Sequence, residues 1–425
     1  MVPGNAHDLS GLTGSYTESD GTTTFPEDRL GSFGSGIAYA GVGNTYYAIN
    51  DGGPDLISGE SYLDRMQTFS ITVTPGATPG TGTVTPTLLA TTLLTNESGQ
   101  YLTGNSAAFT GVNPSQNLRF DPEAIRVAPN GSVYLSDEFG PSIYQFNMQG
   151  QRIAEEAIPA KFQVAVLNAN GTTETADNYY GRITNKGMEG LAITPDGKTL
   201  YGIMQSPLIQ DNGQNGVNLR ILQVNLTTGT TAEFLYKLAN NNNVVSEILA
   251  VNSHQFLVIE RDTNSGTAAV TKQIFLIDTN GATDISSIGN PASSAATQTG
   301  LPTNKTPSGV TPVSKTLFLD LLNPTYGLAG ANFPKDIEGI AFGPDLSNGD
   351  HLLLVTSDNN LDKNTPSYIY AFDITPTDLP GFQAEQFSVP EPGSLLTTVT
   401  GAVCLLGYGW SRSRHRAGQG TTKDS

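Results

Sequence analysis

Apolar and polar residues alternate along this chain in short runs, each run ending at a turn. In the run Met188 to Thr194, Glu189, Leu191 and Ile193 alternate with Gly190, Ala192 and Thr194, the period-two pattern of a strand. Pro195-Asp196-Gly197-Lys198 reverses the chain, Asp-Gly being a strong hairpin signal, and Thr199 to Met204 returns. The same pair recurs at Ser35–Tyr39 with Tyr46–Asp51 and at Asp121–Val127 with Val133–Glu138. It recurs again at Glu247–Val251 with Phe256–Asp262 and at Lys335–Phe342 with Leu352–Asp358. Further alternating runs flank each pair, among them Met66–Val73, Val84–Leu94, Leu219–Leu226, Gln273–Asp278 and Tyr368–Ile374.

About four strands per copy predict an all-β fold closed by radial repetition, a β-propeller. Five copies are legible, and long insertions leave room for a sixth blade. A β-sandwich would explain the strands but not why one hairpin recurs with an acid at its start. The propeller is expected over residues 30–388. Residues 1–29 form a polar N-terminal segment in which Gly11–Arg29 is a loop or an outer strand completing the last repeat. Asn96–Leu118 and the Ser-, Ala-, Thr- and Pro-rich Ser286–Val313 are expected as excursions.

Composition agrees with a turn-rich β protein: 47 Gly, 25 Pro and only 14% charged residues. A net charge of −18 argues against nucleic acid, whose binders need clustered Lys and Arg. The single cysteine, Cys404, excludes a disulfide framework. Met1–Ser10 has neither a basic start nor an apolar run, so any secretory leader is expected upstream or already removed. Zinc, nucleophile-elbow and Walker motifs are absent, and of His7, His254, His351 and His415 three lie in a tail or on expected turns and none is expected in a recurring strand.

Counting outward from the turns puts Glu123 opposite Glu138, Glu247 opposite Glu260, and Glu338 near Asp358. The same count sets Glu189 against Met204 or Gln205, and Ser35 against Asp51. Like charges opposed across strands are destabilising, and a carboxylate on an apolar face needs a proton, a cationic partner or a metal. Inner strands of a propeller line its axis, so these acids are expected to meet at one mouth. Two readings stay open at this point. One is a Ca2+ site, since hard cations take carboxylate oxygens, with Arg119, Lys186, Arg261 and Lys335 holding an anionic substrate. The other is a ring of salt bridges that ties the inner strands together.

Four segments resemble the phytase-like family described by "esterase-like activity of phytase". The residues that carry the resemblance are Asp336-Ile337-Glu338-Gly339-Ile340-Ala341, Arg182 to Ala192 with its Asn185-Lys186-Gly187-Met188-Glu189-Gly190, Glu260-Arg261-Asp262, and Asp358-Asn359-Asn360. The resemblance implies a propeller and hydrolysis of phosphate or other esters. Two departures stand out: Ala124 replaces the glycine after Glu123, and Ser35 replaces the acid of the first repeat.

Residues 389–416 are similar to the PEP-CTERM sorting signal: Pro390-Glu391-Pro392, an apolar stretch Ser394–Trp410, then Arg412, Arg414 and Arg416, with a polar tail over 417–425. That stretch rises about 25 Å as a helix, enough for thin hydrocarbon, and the arginines would stay cytoplasmic. An ordinary single-pass anchor is the simpler alternative. The resemblance implies an exosortase-type partner, a transient membrane anchor, and then a cell-surface or extracellular location in a Gram-negative-type envelope.

Together these readings predict an exported esterase or phosphoesterase acting on a small anionic ester. Glu123, Glu189, Glu338, Arg261 and Lys186 are its candidate catalytic residues. Arg119, Lys186, Arg261 and Lys335 are expected to bind substrate, and Glu123, Glu138, Glu247, Glu260, Glu338 and Asp358 to hold Ca2+. The alternative is a non-catalytic envelope protein bound to exopolysaccharide.

Overall fold

Five sheets, each folded from consecutive strands, are arranged around one axis in the computed structural model, which describes residues 1–17, 22–52, 62–78, 80–109 and 117–387. Blade 1 comprises Gly36–Tyr39, Thr45–Ile49, Arg65–Thr74 and Thr83–Leu93. Blade 2 comprises Pro122–Val127, Val133–Asp137, Ser142–Phe146 and Arg152–Glu155. Met188–Ile193, Thr199–Met204, Asn218–Asn225 and Thr231–Lys237 form blade 3. Val244–Ala250, Gln255–Arg261, Lys272–Asp278 and Ser314–Asp320 form blade 4. Blade 5 has three strands among the described residues, Asp336–Phe342, His351–Asp358 and Ile369–Ile374. The first strand of each blade packs against the first strand of the next, and blade 5 meets blade 1, so the ring closes with five blades and no sixth.

Each inner strand is covered on both faces by neighbouring blades, which is why Met188–Ile193 and Val244–Ala250 are buried at every position. Apolar side chains from blades 2, 3 and 4 merge into one core, those of blades 4 and 5 into a second, and those of blades 5 and 1 into a third. Each buried Leu or Ile in them is worth about 1.5–3 kcal/mol. The glycine after the recurring acid follows from this crowding. A Cβ on Gly190 would lie 2.7 Å from the Ile248 nitrogen and 2.8 Å from the Glu247 Cα, backbone atoms of the next blade.

The N-terminal expectation needs correction. Gly11–Arg29 adds no outer strand to blade 5; Ser15–Thr17 and Thr24–Pro26 pair only with each other. Instead Val2 joins blade 5, exchanging two backbone hydrogen bonds of 2.8 and 3.0 Å with Ser367. One helix that the alternation did not signal, Gly171–Asp177, is capped by Asn170, whose side chain accepts from the Thr173 amide. The compact unit ends at Gln386. Pro390, Glu391, Pro392 and the apolar stretch Ser394–Trp410 lie outside the described residues. Among the described residues, no helix is long and apolar enough to cross a membrane.

Candidate functional site

The start of every inner strand and the end of the strand beside it lie at the same mouth of the ring. Four of the five hairpins carry a bulge there: at Glu123–Ala124, at Glu189, at Ser246 and at Glu338–Gly339. A bulge adds a residue to one strand and re-aims its side chains, so the pairings differ from those expected. In the strand register Asp121, not Glu123, lies opposite Glu138, whose amide donates to the Asp121 carbonyl over 2.9 Å. Asp336, not Glu338, pairs with Asp358. Glu247 pairs with Ile259, and Val245 with Glu260. The Glu247–Glu260 meeting does not form.

Three of the expected site residues go elsewhere. Glu247 forms an ion pair of 2.8 Å with Arg126 and accepts the amides of Leu191 and Ile248, each over 2.9 Å. Glu260 accepts from Tyr236 (2.8 Å), Asn243 (2.7 Å), the Ala239 amide (2.8 Å) and Lys315. Arg119 donates twice to Glu174 at 3.1 Å, with both side chains about 1% exposed.

The other acids do converge, and they bring acids that sequence reasoning passed over: Asp51, Asp121 and Asp336. Carboxylate oxygens of Asp121, Glu123 and Glu138 lie within 4.8 Å of one another, all three residues buried. The Gly52 amide donates to Asp121 at 2.6 Å, tying the end of blade 1 to blade 2. Burial drives Glu123 and Glu138 well above the ordinary carboxylate range, and the negative charges of Glu189 and Asp121 push them further. Burial also raises Asp51, and the negative charges of Asp358, Asp121 and Glu338 push it further.

Glu189 sits between this trio and the basic side of the mouth. Its Oε1 accepts from Gln205, which in turn accepts from Lys186. Its Oε2 is buried with no hydrogen-bond partner. Burial raises Glu189 to about 7, while Arg261, Gln205 and Lys186 pull the other way. Asp358 is raised by burial to about 6, with Asp336 adding to the push.

Blade 4 contributes no acid. At the position of the other blades' glutamates it has Ser246, and its second strand ends in Arg261. The guanidinium donates to Ser246 at 2.7 Å and pairs with Asp336 (2.9 Å) and Glu338 (2.7 Å). Lys335 reaches Asp336 at 3.4 Å with its side chain half exposed. The mouth thus carries two kinds of carboxylate: Asp336 and Glu338 are held by Arg261, whereas Asp51, Asp121, Glu123, Glu138 and Glu189 have no ion pair among the described residues.

The donor set around Asp121, Glu123 and Glu138 is entirely carboxylate oxygen. That suits a hard cation such as Ca2+ and not zinc, which favours imidazole and thiolate. The described histidines are far from it in kind: His7, His254 and His351 pair with the turn aspartates Asp28, Asp278 and Asp345.

Known proteins were compared with this chain. The sequence pattern of the phytase-like family, described as "Esterase-like activity of phytase", matches residues 28–361. An uncharacterized secreted protein of Arthroderma benhamiae is 27% identical over 339 residues, covering 62% of this chain and 65% of its own length. The chain therefore spans about two thirds of that relative. Among solved structures, a streptogramin B lyase is similar at 12% identity and a TM-score of 0.32, covering 85% of this chain and 72% of its own. A gluconolactonase from Xanthomonas campestris gives 11% and 0.32, covering 79% of this chain and 84% of its own. Such superpositions are too loose to bear on the site.

Proposed function

The chain belongs to the phytase-like family, and from that premise we propose that it hydrolyses ester bonds at the acidic mouth with Ca2+ bound there. The observation that carries this reading is the buried trio Asp121, Glu123 and Glu138, whose oxygens converge within 4.8 Å with no ion pair among the described residues. These three would hold the ion. When bound, it would offset their charge and polarise the ester.

The remaining roles fall to neighbouring side chains. Glu189, raised to about 7, is matched to taking a proton from water near neutral pH. Lys186, half-buried and linked to Glu189 through Gln205, supplies positive charge for an anionic substrate oxygen. Arg261 holds Asp336 and Glu338 in place and contributes its charge to Glu189. Lys335 stands at the rim. Arg119, spent on Glu174, is not part of the reading.

Export fits a domain without cysteine, the chain's single one being Cys404 in the C-terminal stretch, and the relative from Arthroderma benhamiae is described as secreted. Delivery by an exosortase-type enzyme through Pro390-Glu391-Pro392 belongs to the same proposal. Turnover of phosphomonoesters and carboxyl esters by the purified chain, with Ca2+ and with chelator, tests it. Ca2+-dependent hydrolysis is expected, with Glu189→Gln losing at least a hundredfold in kcat while keeping Ca2+-dependent thermal stabilisation. No turnover of any ester would leave a binding role at the envelope, exopolysaccharide included.

A further inference from the structure

A groove of about 630 Å³ opens from the acidic mouth across the loops of blade 5, within the range of small-molecule sites. Asp336 and Asp358 belong to both the mouth and the groove, so whatever fills the groove abuts the acids. Asn332, Lys335, Asn364, Thr365 and Tyr368 line it as well.

Charge decides what does not belong there. Asp336 is already paired with Arg261 (2.9 Å) and Lys335 (3.4 Å), whereas Asp358 and Asp362 line the groove with no ion pair among the described residues. A polyanion would meet repulsion in such a groove. The neutral groups are amides and hydroxyls, Asn332, Asn360, Asn364, Thr365 and Ser265, and each amide both donates and accepts. Such a lining matches a ligand studded with hydroxyls.

Shape points the same way. The Tyr368 ring lies parallel to Tyr370 (5.8 Å, 5°), which lies parallel to Phe333 (6.4 Å, 8°). The stack fixes Tyr368 as a flat, amphipathic wall. The loop between mouth and groove is held in an uncommon backbone: Asn360 and Leu361 both have positive φ, 50° and 56°. Asn360 bonds Asp358 through its amide (2.7 Å) and Asp336 through its side chain (2.9 Å). Asn359 ties the loop across to the Thr365 carbonyl (2.8 Å). Strain of this sort persists where surrounding structure enforces it, and it clusters at functional sites.

We propose that this groove is the subsite for the alcohol part of the substrate, and that it takes an uncharged polyhydroxylated group, a glycosyl or polyol unit carrying one ester, in preference to a polyphosphorylated one. The inference rests on the ester-hydrolysis reading for its chemistry but not for its binding, and the two separate experimentally. Glucose 1-phosphate, acetylated methyl glucoside, phytate and p-nitrophenyl phosphate are compared as substrates of the full chain with Ca2+. Methyl glucoside and myo-inositol are titrated as ligands by calorimetry, with wild type, Tyr368→Ala and Tyr368→Phe.

Tyr368→Ala should lower kcat/KM for the sugar esters relative to the aryl ester about tenfold, through KM, and Tyr368→Phe should restore most of the ratio. Glycoside binding that is lost in Tyr368→Ala, with no ester turned over by wild type, keeps the subsite and sinks the hydrolase. Preference for phytate over sugar monoesters, or an equal effect of Tyr368→Ala on sugar and aryl esters, overturns the subsite. So does absence of both glycoside binding and sugar-ester turnover.

Discussion

Two of the groups of buried charges in this propeller are built on opposite terms. At the outer strands of blade 3, Arg220 bonds Asp211 through two nitrogens (2.6 and 3.0 Å) and Glu233 through a third (2.7 Å), while Lys161 meets Glu233 at 3.0 Å. The Leu301 amide completes Asp211 at 2.6 Å. Two cations thus meet two carboxylates, and every carboxylate oxygen has a donor. At the mouth, one guanidinium serves Asp336 and Glu338, and buried oxygens of Glu189, Asp51 and Asp358 have no hydrogen-bond partner. A structural ion network is neutralised locally, because an unpaired buried charge is costly. The mouth departs from that rule in one direction only, towards excess negative charge. On the proposed reading, that excess is what separates a cation site from a ring of salt bridges.

Breaking the balanced group should have the largest effect. Arg220→Ala strands two buried carboxylates and is expected to cost about 3–5 kcal/mol, read from urea unfolding, with the loss equal in Ca2+ and in chelator. The mouth should respond with the opposite sign. In chelator, Glu123→Gln removes repulsion and leaves stability equal to or above that of wild type. In Ca2+ at a hundredfold excess over Kd, the variant should forfeit the stabilisation that wild type gains, about 2.7 kcal/mol. A Glu123→Gln protein that melts earlier in chelator and ignores Ca2+ would return the mouth to the salt-bridge reading.

The five hairpins and their recurring acid were legible in the sequence because alternation survives any error in register. The partners of those acids were not, because register was counted from assumed two-residue turns. Pro129-Asn130-Gly131 is a three-residue loop, with Ala128 bonded to Ser132 and Gly131 at φ 83°. The bulge at Glu123–Ala124 then adds a second shift. Two slips of one residue carried Glu138 from Glu123 to Asp121. Glu247 misled for a different reason: it stands where Gly36, Ala124, Gly190 and Gly339 stand in the other repeats. Superposing the repeats on that small residue would have placed Ser246 at the axis. The same superposition would have set Arg261 beside Asp51, Glu138, Gln205 and Asp358. Arg119 gave no warning, since its partner Glu174 sits on a helix that strand periodicity does not signal.

Acidity offers a subtler separation of the two groups. Glu189 and Asp358 are raised by burial to about 7 and about 6, whereas carboxylates in an unfolded chain titrate near 4. Between about pH 4 and 7 the metal-free folded protein therefore holds protons that the unfolded chain has released. Stability from these groups is complete below about pH 4 and declines as pH rises through 6 and 7, by up to about 1.4 kcal/mol per pH unit for each group. Saturating Ca2+ competes with those protons, so the decline should flatten and the Ca2+ affinity should increase with pH. Thermal melts from pH 5 to 8, with and without chelator, check both. A metal-free protein that gains stability over that range would mean that the mouth's acids are already paired.

Lys272 should give the smallest effect, and it tests whether every buried cation here is indispensable. Its ammonium is buried beside Asp262 at 3.2 Å and donates to the carbonyls of Asp262 (2.9 Å) and Lys335. Yet Asp262 also accepts three backbone amides, those of Asn264 (3.0 Å), Val270 (2.6 Å) and Thr271 (2.8 Å). Those amides hold the carboxylate in its charged form without the lysine. Lys272→Met therefore loses donors to two carbonyls but also sheds the penalty of a buried ammonium, for a net cost of about 1 kcal/mol at pH 7. Burial lowers Lys272 to about 8, so between about pH 8 and 10 the unfolded chain holds its proton more firmly than the folded one. Wild type should accordingly gain on Lys272→Met as pH rises from 7 to 9, measured by urea unfolding at both values. A loss approaching that of Arg220→Ala would instead make Lys272 a required counter-charge, and the contrast would then lie between the mouth and every other buried charge in the wheel.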